Sequence, residues 1–439
     1  MNIIYMHTHD TGRWIEPYGY PVSTPNLRKL AEGGVLFRQA YSGGPTCSPS
    51  RAALLTGMCA HSAGMTGLAH RGFSLNDYDR HLARYLGRNG FETVLCGIQH
   101  EAADYRTLGY SRVLGSPHDD MASTRFDSEA WDLANAEAVV GYLKDKPKKP
   151  FFLSFGMFNT HREFPPVDPS IHPNFVRPPY PLADTPENRN DFAGYMTSVG
   201  IVDHCAGQVM EALAQSDMLD DTILIFTTDH GLAFPHMKCN LTDAGIGVSF
   251  IMKAPGARLN GDVSDALVSQ LDLFPTLCDL LGLEKPEWLQ GRTLLPILDK
   301  KETEVRSHLF AEVTYHAAYE PMRCIRSKRY SYIRLFDDHE GYVPANIDDC
   351  DAKTFLLDSG MLNDRRAREQ LYDLHLDPVE RVNRADDPAY AEARAELAER
   401  LESWMRETSD PLLHGKVEKP AGAVANKLSC ISPGIADFE

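Results

Sequence analysis

The sequence predicts an α/β fold: a large, mostly parallel sheet with helices on both faces, followed by a smaller C-terminal α+β unit. Short apolar runs rich in β-branched and aromatic residues recur at 3–6, 93–96, 151–158, 222–228 and 248–252, as strands buried on both faces do. Helically spaced apolar residues lie between them, and this alternation is the pattern of βαβ units. After about Lys301 the texture changes to strand-like alternation at 308–313 and 322–335. The expected division is a large α/β domain at 1–305, a smaller α+β domain at 306–413 and a tail at 414–439.

In chain order, the first strand runs into His7, His9 and Asp10. Thr24-Pro25 opens a helix with a cap residue and a first-turn proline, and Gly33-Gly34 closes it. Ser48-Pro49 opens another in the same way. The strand at 93–96 runs into His100, the Phe-rich strand into Thr160-His161, and the strand at 222–228 into Asp229-His230. Helices are expected at 191–219 and 270–281. In the C-terminal unit, a helix at 388–405 aligns Leu397, Leu401, Trp404 and Met405 on one face. The tail is rich in Pro, Gly and Ala.

Composition narrows the function. The 439 residues are 43% hydrophobic and 24% charged, an ordinary globular mixture that excludes disorder and collagen-like repetition. The net charge of −17 repels phosphate backbones and anionic lipid, so neither nucleic acid nor membrane is an expected partner. An anionic substrate needs a local cationic pocket working against that field. No run of 18 apolar residues and no leader-like start is present, so the expected address is cytoplasmic as written, or periplasmic if a signal has been trimmed. The oligomeric state is left open. The nine cysteines hold no CxxC pair, which argues against a disulfide framework or zinc site, and most of them, Cys47 apart, read as small buried hydrophobes.

In open α/β sheets the crevice at the carboxyl ends of the strands binds ligands. Four strands here end in His or Asp, which points to one shared polar site. Each alone is an ordinary turn former or cap. Asp10 with Asp229 suits a hard divalent cation. Lys238 and Arg51 are candidate contacts to an anion. Cys47, just before a helix start, sits where backbone N–H groups favour negative charge, which predicts a reactive thiol of lowered pKa.

The segment Cys47-Ser48-Pro49-Ser50-Arg51, followed by Leu55-Thr56-Gly57, resembles the signature of the type I sulfatases. His9-Asp10-Thr11-Gly12, Gln99-His100, Thr160-His161, Thr228-Asp229-His230-Gly231, Lys238 and Tyr372-Asp373-Leu374 follow in that family's order. The resemblance implies an alkaline-phosphatase-like fold with a large mixed sheet and a calcium-dependent sulfuric ester hydrolase. It further implies that a maturation enzyme converts Cys47 to Cα-formylglycine. The aldehyde hydrate attacks sulfur, forms a covalent sulfated intermediate and collapses to release sulfate. By the same resemblance His9, Asp10, Cys47, Asp229 and His230 hold the metal, Arg51 steadies residue 47, and His100 takes a proton. His161 protonates the leaving atom and Lys238 clamps the sulfate.

Two positions depart from the family pattern. His9 stands where an aspartate is usual, removing one negative charge from the metal site. Ile98 stands where a lysine is usual, removing a cation beside the nucleophile. Arg162 and Glu163, Thr314-Tyr315-His316 and Tyr319-Glu320 supply polar and aromatic groups suited to a sugar or aryl face. These stretches are most similar to the sulfamidase-like branch and to bacterial carbohydrate sulfatases, implying a sulfated sugar or small molecule as substrate. The alternatives are a phosphonate or phosphate ester hydrolase of the same superfamily, and a catalytically silent sulfoglycan-binding protein.

Overall fold

A computed structural model describes residues 1–115 and 127–439. Its main sheet has eight strands: β1 (Asn2–Thr8), β2 (Val35–Tyr41), β3 (Glu92–Gly97), β4 (Arg112–Leu114), β5 (Phe151–Gly156), β6 (Thr222–Thr228), β7 (Phe250–Lys253) and β8 (Asp262–Ser269). The order is β4-β3-β5-β1-β6-β7-β2-β8. All neighbours are parallel except that β7 runs antiparallel to β6 and β2, so the sheet is mixed. The sequence reading missed β2, β4 and β8. β2 exposes Arg38 mid-strand and β8 opens on Asp262, Ser264 and Asp265, so neither forms a continuous apolar run.

Successive residues of β1 feed opposite cores. Ile4 and Met6 join Leu153, Phe155, Leu224 and Phe226 beneath the helices Ser128–Lys144 and Pro186–Gln215. Ile3 and Tyr5 join Phe152, Ile223 and Ile225 against Leu54, Leu55 and the helix Leu273–Leu281. The long helix begins at Pro186, not 191, because Thr185 Oγ1 caps it by accepting from Asn188 N. It stops at Gln215, short of the expected 219, and Asp217 beyond it has a left-handed φ of 58°.

Register aligns the strand ends. His7 pairs with both Gly156 and Thr227, and Gly97 with Gly156. The residues after β1, β3, β5 and β6 therefore emerge along one edge. Glycine at 97 is required there: its φ is +79°, and a Cβ would lie 2.0 Å from Gly156 O.

The second sheet is antiparallel, in the order β12-β11-β10-β9, from β9 (Leu309–Tyr315), β10 (Tyr319–Arg326), β11 (Tyr330–Leu335) and β12 (Glu369–Asp373). The helix Ala391–Glu407 buries Leu397, Leu401, Trp404 and Met405 against Ile325, Tyr332 and Leu371. Each such side chain contributes about 1.5–3 kcal/mol of burial. Among the described residues no helix is long and apolar enough to cross a membrane.

His81 makes acid stability testable. Its Nδ1 accepts from Ala83 N at 3.2 Å, capping the helix Leu82–Arg88. Burial, aided by Arg84, holds its pKa down to about 3, against an ordinary 6.5. Because the folded pKa lies below the unfolded one, the stabilisation is complete above pH 6.5. It is lost as pH falls towards 3, by about 1.4 kcal/mol per pH unit. Urea midpoints between pH 7 and pH 4 are expected to show this slope. His81→Asn, a cap that does not titrate, removes that share of it; an unaltered slope contradicts the assignment.

Candidate active site

The site is built where β1 and β6 end side by side. Asp10 takes a left-handed φ of 48°, and its N–H donates to Asp229 Oδ1 at 2.9 Å. Thr11 N donates to Thr228 Oγ1, and Gly12 N to His230 O at 2.9 Å. These crosslinks bring Asp10, Asp229 and His230 together at zero or near-zero exposure.

The helix Cys47–Thr56 approaches from β2 and is buried at every residue. It starts at Cys47, one residue before the expected Ser48-Pro49, and Thr46 in the cap position makes no side-chain cap bond. Ser50 Oγ donates to Asp229 O at 2.6 Å, fixing this helix to the end of β6. One turn on, Arg51 donates to Asp229 Oδ2 at 3.0 Å, Thr8 O at 2.7 Å and His7 Nδ1 at 2.6 Å. His7 Nε2–H in turn meets Ser154 Oγ at 3.0 Å. His7, a candidate lining group on sequence grounds, is thus a support for Arg51.

His230 Nδ1 lies 2.9 Å from Gly231 O, a carbonyl that only accepts, so this nitrogen carries the proton in the neutral ring. The bare Nε2 then faces Asp10 Oδ1 at 3.2 Å and Cys47 Sγ at 3.5 Å. His9 Nδ1 lies 3.1 Å from Asp229 Oδ2. Ligand atoms of His9, Asp10, Cys47 and Asp229 all fall within 4.8 Å of one another. Buried His9 Nε2 and Asp10 Oδ1 lack hydrogen bonds. Lone pairs of nitrogen and oxygen converging without protons between them fit a divalent cation.

Lys238 bridges two carboxylates, 3.3 Å from Asp10 Oδ2 and 3.0 Å from Asp348 Oδ2. Burial opposes its charge, but Asp10 and Asp348 outweigh it and hold the ammonium well above its ordinary pKa. Burial likewise opposes ionisation of Asp229, yet His230, Arg51 and His9 drive its pKa well below the ordinary value. Burial lowers the pKa of His9, His100 and His316, keeping those rings neutral.

The thiol of Cys47 contradicts the sequence expectation. Burial raises its pKa well above the ordinary value, Asp229 and Asp10 push the same way, and Lys238 and Arg51 do not offset them. A helix start supplies partial positive charge, but the burial of the thiol outweighs it. The unmodified residue is therefore a neutral thiol. Eight of the nine cysteines are buried, Cys350 being the partly exposed one.

His161 and His100 flank His9, with ring centroids 5.4 and 6.0 Å away. His161 Nδ1 lies 2.6 Å from Arg162 O, which leaves Nε2 as its exchangeable atom. His100 Nε2 lies 2.9 Å from His70 Nδ1, and its buried Nδ1 has no partner. The strand end that carries His161 is held by Asp132, which accepts from the N–H groups of Phe158 and Asn159. Ile98, at the usual lysine position, is fully buried.

Sequence reasoning missed Asp348 and His70. Asp348 lies outside any strand end, and its meaning depends on Lys238, 110 positions earlier. Several residues suggested for sugar recognition are engaged elsewhere. Arg162 clamps Asp191 with bonds of 2.7 and 2.8 Å, Tyr315 donates to Val417 O, and Glu320 pairs with Arg366. His316 remains in the pocket, buried with Nδ1 unpartnered.

A family model described as Sulfatase matches residues 2–283, and one described as N-sulphoglucosamine sulphohydrolase, C-terminal, matches 236–349. N-sulphoglucosamine sulphohydrolase of Homo sapiens is 30% identical, covering 93% of this chain and 89% of that protein. A solved structure of a protein in complex with its substrate D-glucosamine-2-N,6-O-disulfate superposes with TM-score 0.74 at 19% identity, over 95% of this chain and 99% of that one. Phosphonate monoester hydrolase of Agrobacterium radiobacter gives 0.70 at 22% identity, over 97% and 99%. These structures establish the alkaline-phosphatase-like fold. With well over half of its length matched by the family model, the chain belongs to the sulfatase family and is a sulfuric ester hydrolase.

Proposed function

We propose that this enzyme hydrolyses sulfate esters or sulfamates of a sulfated carbohydrate, with residue 47 acting as formylglycine. The observation that carries this reading is the convergence of Cys47 Sγ, the bare His230 Nε2 and Asp10 on one side of Lys238. Calcium is the proposed metal, held by His9, Asp10, Asp229, His230 and residue 47; when bound it draws the sulfate oxygens and favours the ionised nucleophile. A maturation enzyme acting on the Cys47 motif supplies the aldehyde, whose hydrate provides the attacking hydroxyl.

The protein's own groups then divide the work. Arg51, anchored through His7, Thr8 and Asp229, keeps Nε–H without a partner as the donor toward residue 47. Lys238, kept protonated by two carboxylates, neutralises the sulfate. His100 Nδ1 accepts the proton released at residue 47, and His161 Nε2 delivers one to the departing oxygen or nitrogen. Both histidines sit at emergent strand ends, so the main sheet fixes their separation.

The discriminating experiment compares kcat/KM of the matured, calcium-loaded enzyme on N-sulfated glucosamine, an aryl sulfate, and matched phosphate and phosphonate esters. Higher efficiency on the sulfur substrates is expected. Preference for phosphorus by a large factor identifies a phosphoryl or phosphonyl hydrolase instead. Absence of turnover despite complete aldehyde formation and added calcium identifies a silent sulfoglycan binder.

A further inference from the structure

The segment 414–439 has no part in the chemistry above and is largely exposed, yet four of its residues are buried against the body of the protein. Ala423, Ala425, Asn426 and Cys430 are buried. Ala423 and Ala425 pack with Ala69, Phe73, Tyr315 and Ala52, the residue after Arg51 in the buried helix. Gly72 lets the tail come this close: its φ is +94°, and a Cβ there would lie 2.8 Å from Ala423 Cα.

Polar contacts fix the tail at three further places. Arg71 donates to Asn426 Oδ1 at 2.7 Å and to Pro433 O at 3.0 Å, and its own carbonyl accepts from Val424 N at 2.9 Å. Asn426 N donates to Ala317 O at 2.7 Å. Ser432 Oγ donates to the Asp349 carboxylate, which also holds Lys353. Each anchor is the immediate chain neighbour of a group at the site. Arg71 follows His70, which meets His100 at 2.9 Å. Ala317 follows His316, buried with an unpartnered Nδ1. Asp349 follows Asp348, which meets Lys238 at 3.0 Å.

These three loops come from distant parts of the sequence. Arg71 reaches Ala317 O at 3.4 Å; Ala318 N donates to Asn346 Oδ1 at 2.8 Å and Asn346 Nδ2 to Ala318 O at 3.4 Å, and Ala317 and Ala318 pack with Val343, Ala345 and the tail's Cys430. The tail lies across both seams. We propose that the C-terminal tail is a positioning clamp: by gripping Arg71, Ala317 and Asp349 it sets His70, His316 and Asp348, and through the first and last of these it aims His100 and Lys238. Asn426 is its central positioning residue. The clamp's catalytic consequence rests on the sulfatase reading above, whereas its mechanical part does not.

The test uses the full-length matured enzyme as wild type, Asn426→Ala and Asn426→Asp. Aspartate keeps the acceptor for Arg71 but loses the Nδ2 donor to Ile435 O, and alanine removes both. Hydrogen–deuterium exchange at 69–72, 316–318 and 346–349 is expected to accelerate in the alanine variant. Its kcat on an aryl sulfate is expected to fall about 10-fold, the scale of a small misplacement of catalytic groups. Calcium affinity should hold, since the strand-end ligands lie outside the clamp, and Asn426→Asp, which keeps the Arg71 tie, should keep exchange at 69–72 slower than alanine does. Exchange at wild-type rates in all three segments overturns the clamp, as does accelerated exchange with unchanged kcat. If the wild type itself shows no sulfatase turnover but alanine still loosens the three segments, the mechanical clamp stands and the sulfatase reading falls.

Discussion

Cys47→Ala is expected to lower turnover of an aryl sulfate by about 10^4-fold or more, the scale seen when a covalent nucleophile is removed. The fold should survive. Sγ makes a single polar contact, 3.5 Å to His230 Nε2, and the surrounding helix is held by Ser50 on Asp229 O and by Arg51. The thermal midpoint should therefore stay close to that of the parent. The loss is chemical: alanine lacks the thiol through which its Cβ could be oxidised to an aldehyde, and the neutral thiol it replaces is itself no substitute nucleophile. A Cys47→Ala enzyme with parental activity would remove residue 47 from the reaction.

Asp229→Asn should be as damaging and, unlike the first, should also destabilise. The asparagine oxygen can still accept from Asp10 N and His230 N, as Oδ1 does now. At the Oδ2 position an NH2 group would face Arg51 Nη2, donor against donor, where a 3.0 Å ion pair now stands. Arg51 is 1% exposed, so its charge would be left buried without its counter-ion. Breaking a buried pair from one side costs about 3–5 kcal/mol. Urea denaturation checks that figure, and calorimetric titration checks an accompanying collapse of calcium affinity that millimolar calcium does not restore in turnover assays. A variant of parental stability that still binds calcium would place the metal elsewhere.

Much of this site was legible because chemistry had been placed at strand ends. Apolar runs locate β1, β3, β5 and β6, and the residues that leave those strands are the ones the register brings to one edge. The Cys47 motif is readable because it is contiguous. Three kinds of feature were not legible. β2 and β8 carry charges and hydroxyls in a buried sheet, which hides them from hydrophobic patterning. The state of the Cys47 thiol depends first on its burial by the tertiary fold and then on Asp229 and Asp10 beside it, so local helix-start reasoning gave the wrong direction. Asp348 and His70 act through Lys238 and His100, partners that only the tertiary fold supplies.

His9 sharpens the metal question. Asp10, Asp229 and the half-buried Asp348 stand against Arg51 and Lys238, three carboxylates to two cations. An aspartate at position 9 would make the pocket more negative still. In the proposed site the imidazole would instead offer a nitrogen donor, and calcium affinity is expected to be correspondingly weaker.

The most direct test is peptide mass spectrometry across residue 47 in enzyme expressed with a maturation enzyme and shown to be active. The account predicts a loss of about 18 Da, the exchange of CH2–SH for CHO, in proportion to activity across preparations of varying maturation. Fully active enzyme whose Cys47 retains an intact thiol would contradict it.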